Sequence, residues 1–265
     1  MIIIPRKIFD QMTPKSLTEE NSDILPQIGV IKKLKKMDLS ELNAWLKKNT
    51  VFVGKGSSRS VYILQDMTCL KIAFNSQGVL QNKQEYENTI KENSKNAYPC
   101  FSEIYDADME DWRFLQVEMA KEATERDFPK YIPYISNPWE ATIIPVAMSL
   151  FPKNFNDLSK KDVSKIWDIV GTGTDIREIK DLKNFLNSER FMTFSYKIFK
   201  NKLSAGSETN IKALYQFFSD NGFKKMLPND ITNTENWGVV YRNKIPQLII
   251  IDSGFSENVS TSYHL

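Results

Sequence analysis

The sequence has almost no histidine: His264 is the only one in 265 residues. Histidine triads, zinc–histidine centres and imidazole bases are therefore excluded, and acid–base chemistry falls to carboxylates, lysines or tyrosines. Cysteine is nearly as scarce. Cys69 and Cys100 stand alone, Cys69 within an apolar run, which argues against a disulfide framework and for a reducing compartment. An excess of one charge is also missing. Lys and Arg number 35 against 33 acids, a formal net charge of +2, so no nucleic-acid partner is expected. Long apolar runs are absent, and Met1–Pro5 is too short for a signal sequence or a membrane span. A cytoplasmic protein without a membrane partner is the expectation. There is no internal repeat and no low-complexity segment.

What is present suits a globular chain: 41% hydrophobic and 26% charged residues, enough for one large or two small domains. Residues 1–50 are lysine-rich and predict a helical extension packed on the main body. Ser16-x-x-Glu19 and Asp38-x-x-Glu41 have capping-box spacing, and Leu39, Leu42, Trp45 and Leu46 then share one helical face. The run Lys32-Lys33-Leu34-Lys35-Lys36 reads as a solvated face.

From Val51 the pattern turns to strands. Val51–Val53, Ser60–Leu64 and Thr68–Ala73 are strand candidates, the first two joined by Gly54-Lys55-Gly56-Ser57-Ser58-Arg59. A polar helical segment spans Gln77–Glu92, and strands are expected again at Phe101–Tyr105 and Arg113–Met119. After Ala120 helical periodicity dominates. Val163, Ile166, Trp167 and Val170 form one stripe, and Leu182, Phe185 and Leu186 belong to another segment within Lys180–Lys200. Ile211, Leu214, Tyr215 and Phe218 form a further stripe, which Asn221-Gly222 closes. The reading is α+β: an extension over 1–50, a strand-rich lobe over 51–120 and a helical lobe over 121–265.

The stretch Leu227–Phe255 carries the clearest chemical signal. Trp237–Tyr241 and Gln247–Ile251 predict a hairpin joined by Arg242–Pro246. Asp230 and Asn236 precede its first strand and Asp252 follows its second. A carboxylate and a carboxamide held at strand ends offer oxygen ligands of the kind magnesium shares with phosphates.

Glycine loop between strands, strand lysine, helical glutamate, Asp/Asn and a later Asp: this order resembles the bilobal protein-kinase-like fold. The nearest resemblance is to small bacteriophage-encoded kinases and aminoglycoside-phosphotransferase-type relatives, over about Val51–Phe255. The resemblance implies a loop that covers ATP phosphates, through Gly54, Gly56, Ser57, Ser58 and Val61, with Arg59 where the pattern has its third glycine. It implies that Lys71 grips phosphates and that Glu85, or else Glu87, pairs with Lys71. It implies adenine contacts from the hinge backbone at Glu118 and Ala120, magnesium on Asn236 and Asp252, and Asp230 as the base. Asp252-Ser253-Gly254 takes the place of the metal-binding D-x-G. The pattern departs elsewhere. Asn236 follows Asp230 by six residues rather than five, the intervening position is Ile231, and Asn229 stands where His or Tyr is usual. The sequence stops without an activation segment, so acceptor contacts would come from the insert between Ala120 and Gly206. The implied activity is ATP- and magnesium-dependent phosphotransfer, on a host protein Ser, Thr or Tyr in host cytoplasm if the protein is phage-encoded. An impaired pseudokinase that binds a partner, a phosphotransferase for an aminoglycoside-like small molecule, and AMP transfer remain alternatives. Whether Ser57, Ser58 or Ser60 is self-phosphorylated is left open by the sequence; a flexible loop near phosphates would permit it.

Overall fold

A computed structural model describes residues 29–94, 99–131, 135–151, 158–170, 179–189, 191, 213, 231–242 and 245–254. The Ser16–Glu19 box, the Ile211–Phe218 stripe, Asn221-Gly222 and Asp230 lie outside these residues, apart from Ala213 within the stripe.

Two short helices come first, α1 (Val30–Leu34) and α2 (Leu39–Asn49). The box at the start of α2 is formed in both directions: Asp38 Oδ1 accepts from Glu41 N at 2.8 Å, and Glu41 Oε2 accepts from Asp38 N at 3.0 Å. Ile31, Leu34, Leu42 and Leu46 are buried, whereas Leu39, in the first turn, stays 67% exposed and does not join the expected stripe.

These helices lie on a five-stranded antiparallel sheet of order β1-β2-β3-β5-β4. Its strands are β1 (Thr50–Lys55), β2 (Arg59–Leu64), β3 (Cys69–Ala73), β4 (Ile104–Ala107) and β5 (Phe114–Val117). β3 is buried along its whole length because both faces are covered. Strand residues alternate between faces. Leu70 and Ile72 therefore meet Ile31, Leu34, Leu42 and Leu46 outside, while Cys69 packs with Val61, Ile63, Leu115 and Val117 on the other side. Helix α3 (Ser76–Asn93) crosses next to β3.

The strands do not stop at Ala120. β6 (Lys121–Glu122) pairs with β7 (Trp237–Arg242), which pairs with β8 (Ile245–Ile250), giving a second, three-stranded sheet. Phe101 adds an isolated parallel bridge to Ile250 rather than opening β4. Helical structure fills the rest: α4 (Asp127–Tyr131), α5 (Pro138–Leu150), α6 (Lys160–Val170) and α7 (Ile179–Leu186). Among the described residues, the segment expected as helix over Lys180–Lys200 ends its continuous helix at Leu186. α4 and α5 carry no amphipathic signature that reveals them in sequence. α5 is apolar on nearly every side, is capped by the Asn137 side chain on Glu140 N at 2.9 Å, and sits in the main core with Phe128, Ile166, Phe191 and Trp237. The chain is α+β, with a sheet-rich and a helix-rich part. No described helix is long and apolar enough to cross a membrane.

Two predictions follow from packing. A Cβ on Gly78 would lie 2.3 Å from the Ser58 carbonyl oxygen and 3.0 Å from Ala73 Cβ. In an exposed helix Gly→Ala gains roughly 1 kcal/mol; here Gly78→Ala should lose about 1–3 kcal/mol in urea unfolding. Lys35 bridges to Asp108 at 2.6 Å, and the Asp108 carboxylate is 1% exposed. Burial raises its pKa, but the hydrogen bonds from Lys35 and from backbone N–H groups outweigh that and hold it below the usual carboxylate value. A lowered folded-state pKa gives stability that is full above the unfolded value of about 3.9 and fades as pH falls through the folded one. The stability gap between wild type and Asp108→Asn should therefore close in acid, as read by thermal melts across pH.

Candidate functional site

The inward face of the sheet brings four charged side chains together. β2 and β3 are in register with Val61 opposite Lys71 and Arg59 opposite Ala73. Alternation then puts Arg59, Val61 and Lys71 on one face. Glu85, on α3, lies under that face and is 0% exposed. Lys71 Nζ donates to Glu85 Oε1 at 2.5 Å and to the Ile251 carbonyl at 2.7 Å. Arg59 Nη1 donates to Glu85 Oε2 at 2.7 Å and to Asn82 Oδ1 at 3.2 Å, and Nη2 donates to Asp252 Oδ1 at 2.6 Å. Two cations thus close on two carboxylates, with Glu85 using both oxygens. Glu87, the other possible partner of Lys71, faces solvent.

These contacts set the electrostatics. Burial raises the Asp252 carboxyl, but the positive charges of Arg59 and Lys71 overcome it and hold it far below the ordinary range. Burial lowers Arg59, and the Asp252 and Glu85 carboxylates more than reverse this, so its guanidinium is bound still more firmly to its proton. Cys69, on the same face, is pushed up to about 12 by burial and remains a thiol.

Arg59 differs from its expected place. The hairpin turn runs from Gly56 to Arg59, with Gly56 N donating to Arg59 O at 2.8 Å, so Arg59 opens β2 instead of ending a loop. Gly54 lies within β1 opposite Val61. The turn is also tied down. Ser58 Oγ donates to Gln81 Oε1 at 2.7 Å, the Ser58 carbonyl accepts from Phe74 N at 3.1 Å, and Asn75 Nδ2 donates to the Ser57 carbonyl at 3.1 Å. Ser58 is 3% exposed with its hydroxyl engaged, so it does not present a flexible self-phosphorylation site; Ser57 is exposed.

Further along the same face of α3, Asn88 Nδ2 donates to the Ser253 carbonyl at 2.8 Å. Gly254 lies against the Gln81 carbonyl, where a Cβ would come within 2.5 Å. α3 is therefore fastened both to the turn before β2 and to Asp252-Ser253-Gly254.

Asn236 ends a short 3-10 turn (Thr234–Asn236) and is fully buried. Ile251 N donates to the Asn236 carbonyl at 2.9 Å, which keeps Asn236 and Asp252 at the same end of the β7–β8 ladder. Trp237 Nε1 donates to the Ile231 carbonyl at 2.6 Å, and Ile231 is itself buried. Were magnesium to bind at this end of the ladder, the Asn236 carboxamide and the Asp252 carboxylate would be its oxygen ligands. Any ion there would meet Asp252 with Arg59 already on Oδ1.

Where the hinge was expected, Glu118 N donates to the Glu103 carbonyl at 2.8 Å, so this donor is committed within the sheet. The Glu118 carboxylate has a separate task. Arg242 grips it through Nη2 at 2.5 Å and Nε at 3.2 Å, and also reaches the Phe101 and Pro99 carbonyls at 2.9 and 3.0 Å. Sequence reading placed Arg242 in a connecting loop; a charged residue at the end of an apolar strand was the available signal. Ala120 packs with Val240 and Ile249 in a small apolar cluster beside the hinge.

No family model and no curated protein matches the chain. Solved structures similar to it include a streptomycin–ATP–APH(2")-IIa ternary complex, at TM-score 0.32 and 15% identity over 83% of this chain and 71% of that one. The ADP-bound aminoglycoside phosphotransferase APH(2'')-Ib has TM-score 0.33 and 14% identity over 82% and 71%, respectively. A gentamicin–APH(2")-IIa complex has TM-score 0.30 and 14% identity over 83% and 70%. The chemistry of the site rests on its own geometry.

Removing Glu85 should be costly, because it leaves two buried cations sharing one fewer carboxylate. Glu85→Gln is expected to lose roughly 3 kcal/mol or more in urea unfolding.

Proposed function

We propose that the protein is an ATP-dependent phosphotransferase working with magnesium. The observation that carries this reading is the buried Lys71–Glu85 pair, whose lysine also bonds the carbonyl just before Asp252. In a low-dielectric setting a lysine held in place by a carboxylate can meet phosphate without reorganising. The apolar residues on the two sides of the hinge, Val61, Val117 and Met119 on one and Ala120, Val240 and Ile249 on the other, suit a flat purine base. The Glu118 carbonyl and the Ala120 N–H would address its edge. Gly54, Gly56, Ser57 and Ser58 would lie over the phosphates.

Asn236 and Asp252 would hold magnesium, which when bound neutralises charge on the phosphates. Asp230 would take the proton of the acceptor hydroxyl as its oxygen bonds to the γ-phosphorus. The bond from that phosphorus to the β–γ bridging oxygen breaks, and ADP leaves with the electron pair. The acceptor hydroxyl belongs either to a protein side chain, in the host if the chain is phage-encoded, or to a small molecule such as an aminoglycoside.

A second reading is favoured by one observation, the Arg59 bond to Asp252: a protein that binds nucleotide or a partner without transferring phosphate. Incubation with γ-labelled ATP and magnesium, with host lysate and separately with aminoglycosides, distinguishes them. Label should appear on an acceptor and vanish in Asp252→Asn, whose melting temperature stays cooperative. ADP-induced stabilisation with no label on any acceptor would establish the second reading instead.

A further inference from the structure

Arg59 is the charged group at this site that phosphoryl transfer leaves unused. It is 6% exposed, and its guanidinium spans the gap between α3 and the end of β8. Such a group is always charged and offers five N–H donors in one plane. Nη1 spends its donors on Glu85 and Asn82, and Nη2 spends one on Asp252. Among the described residues no acceptor meets Nε–H or the second Nη2–H.

The charge balance shows what this does. Lys71 and Arg59 are matched by Glu85 and Asp252, so the network is neutral as it stands. Without Arg59 it would carry one net negative charge next to the place where nucleotide phosphates must come. In a partly buried site a single uncompensated charge several ångströms away is worth on the order of tenfold in affinity or more. A site built that way would need a divalent ion merely to admit the nucleotide.

We propose that Arg59 is a built-in cation standing at Asp252 in place of a divalent ion, so that a nucleoside di- or triphosphate binds here without metal. Metal then serves transfer rather than binding. This inference rests on the nucleotide-site reading above but not on turnover. It also explains why the third position of the glycine pattern can be a bulky basic residue: the side chain leaves the turn and enters the network.

The test is calorimetric titration of the full chain with ADP, in excess magnesium and in EDTA. For the wild type the two affinities should agree within about threefold, and for Arg59→Gln chelation should weaken binding by about tenfold or more. Loss of about tenfold in the wild type on chelation would overturn the proposal, and so would an unchanged ratio in Arg59→Gln. Should Arg59→Gln fail to fold by circular dichroism, Arg59→Lys keeps the charge and should keep the small wild-type ratio. A large ratio in that variant would also overturn the proposal. Binding with a large ratio removes this inference and leaves the nucleotide site standing. No ADP binding in either condition removes both.

Discussion

One buried carboxylate organises the site. Glu85 has no solvent contact and holds a cation on each oxygen, Lys71 from β3 and Arg59 from β2. A bare carboxylate at that depth would be several kcal/mol uphill, so the two strands and α3 must stay where both cations reach it. The surrounding contacts agree with that demand. Gly78 lets α3 approach the Ser58 carbonyl, Ser58 holds Gln81, and further along the same face Asn88 holds the Ser253 carbonyl. The helix cannot swing away without breaking bonds at successive turns of that face, so the lysine–glutamate pair is a fixed part of the fold.

The two lobes meet through a second set of charges. Arg242, at the end of β7, binds Glu118 at the hinge together with the Phe101 and Pro99 carbonyls, while Ser102 N and Ile250 N exchange bonds with the Ile250 and Cys100 carbonyls across the same seam. A forked guanidinium can satisfy several acceptors at once, which suits a junction where two strands and a loop converge. The small sheet of β6, β7 and β8 thereby joins the hinge to the strand that leads into Asp252.

How legible this was in the sequence depended on range. Lys71 on a strand and Glu85 on a helix could be placed because those elements are local, but their pairing came only from the resemblance, which left Glu87 open as well. The N-terminal lobe followed from Gly-containing turns between β-branched runs, and the α2 cap from Asp38 and Glu41. Arg59 was misjudged as the end of a loop, although Arg59, Val61 and Ile63 alternate as one strand face; whether the turn closes at Gly56–Arg59 or later depends on a backbone bond the sequence does not display. β6 was invisible for a different reason: two residues, Lys121 and Glu122, are strand only because β7 lies alongside them. α5 was missed because a helix buried on nearly all sides has no polar face to mark its period. Fit to a neighbour, rather than propensity, decides such elements.

The Arg59–Asp252 pair also has a temporal side. Its partners are 193 residues apart in the chain. At ribosomal speeds of about 5–20 residues per second, some ten to forty seconds separate their synthesis. Throughout that interval the sheet and α3 can meet only with Lys71 and Arg59 both leaning on Glu85, one positive charge in excess. The nascent sheet and helix are thus left with an unmatched positive charge until the segment after β8 that bears Asp252 arrives.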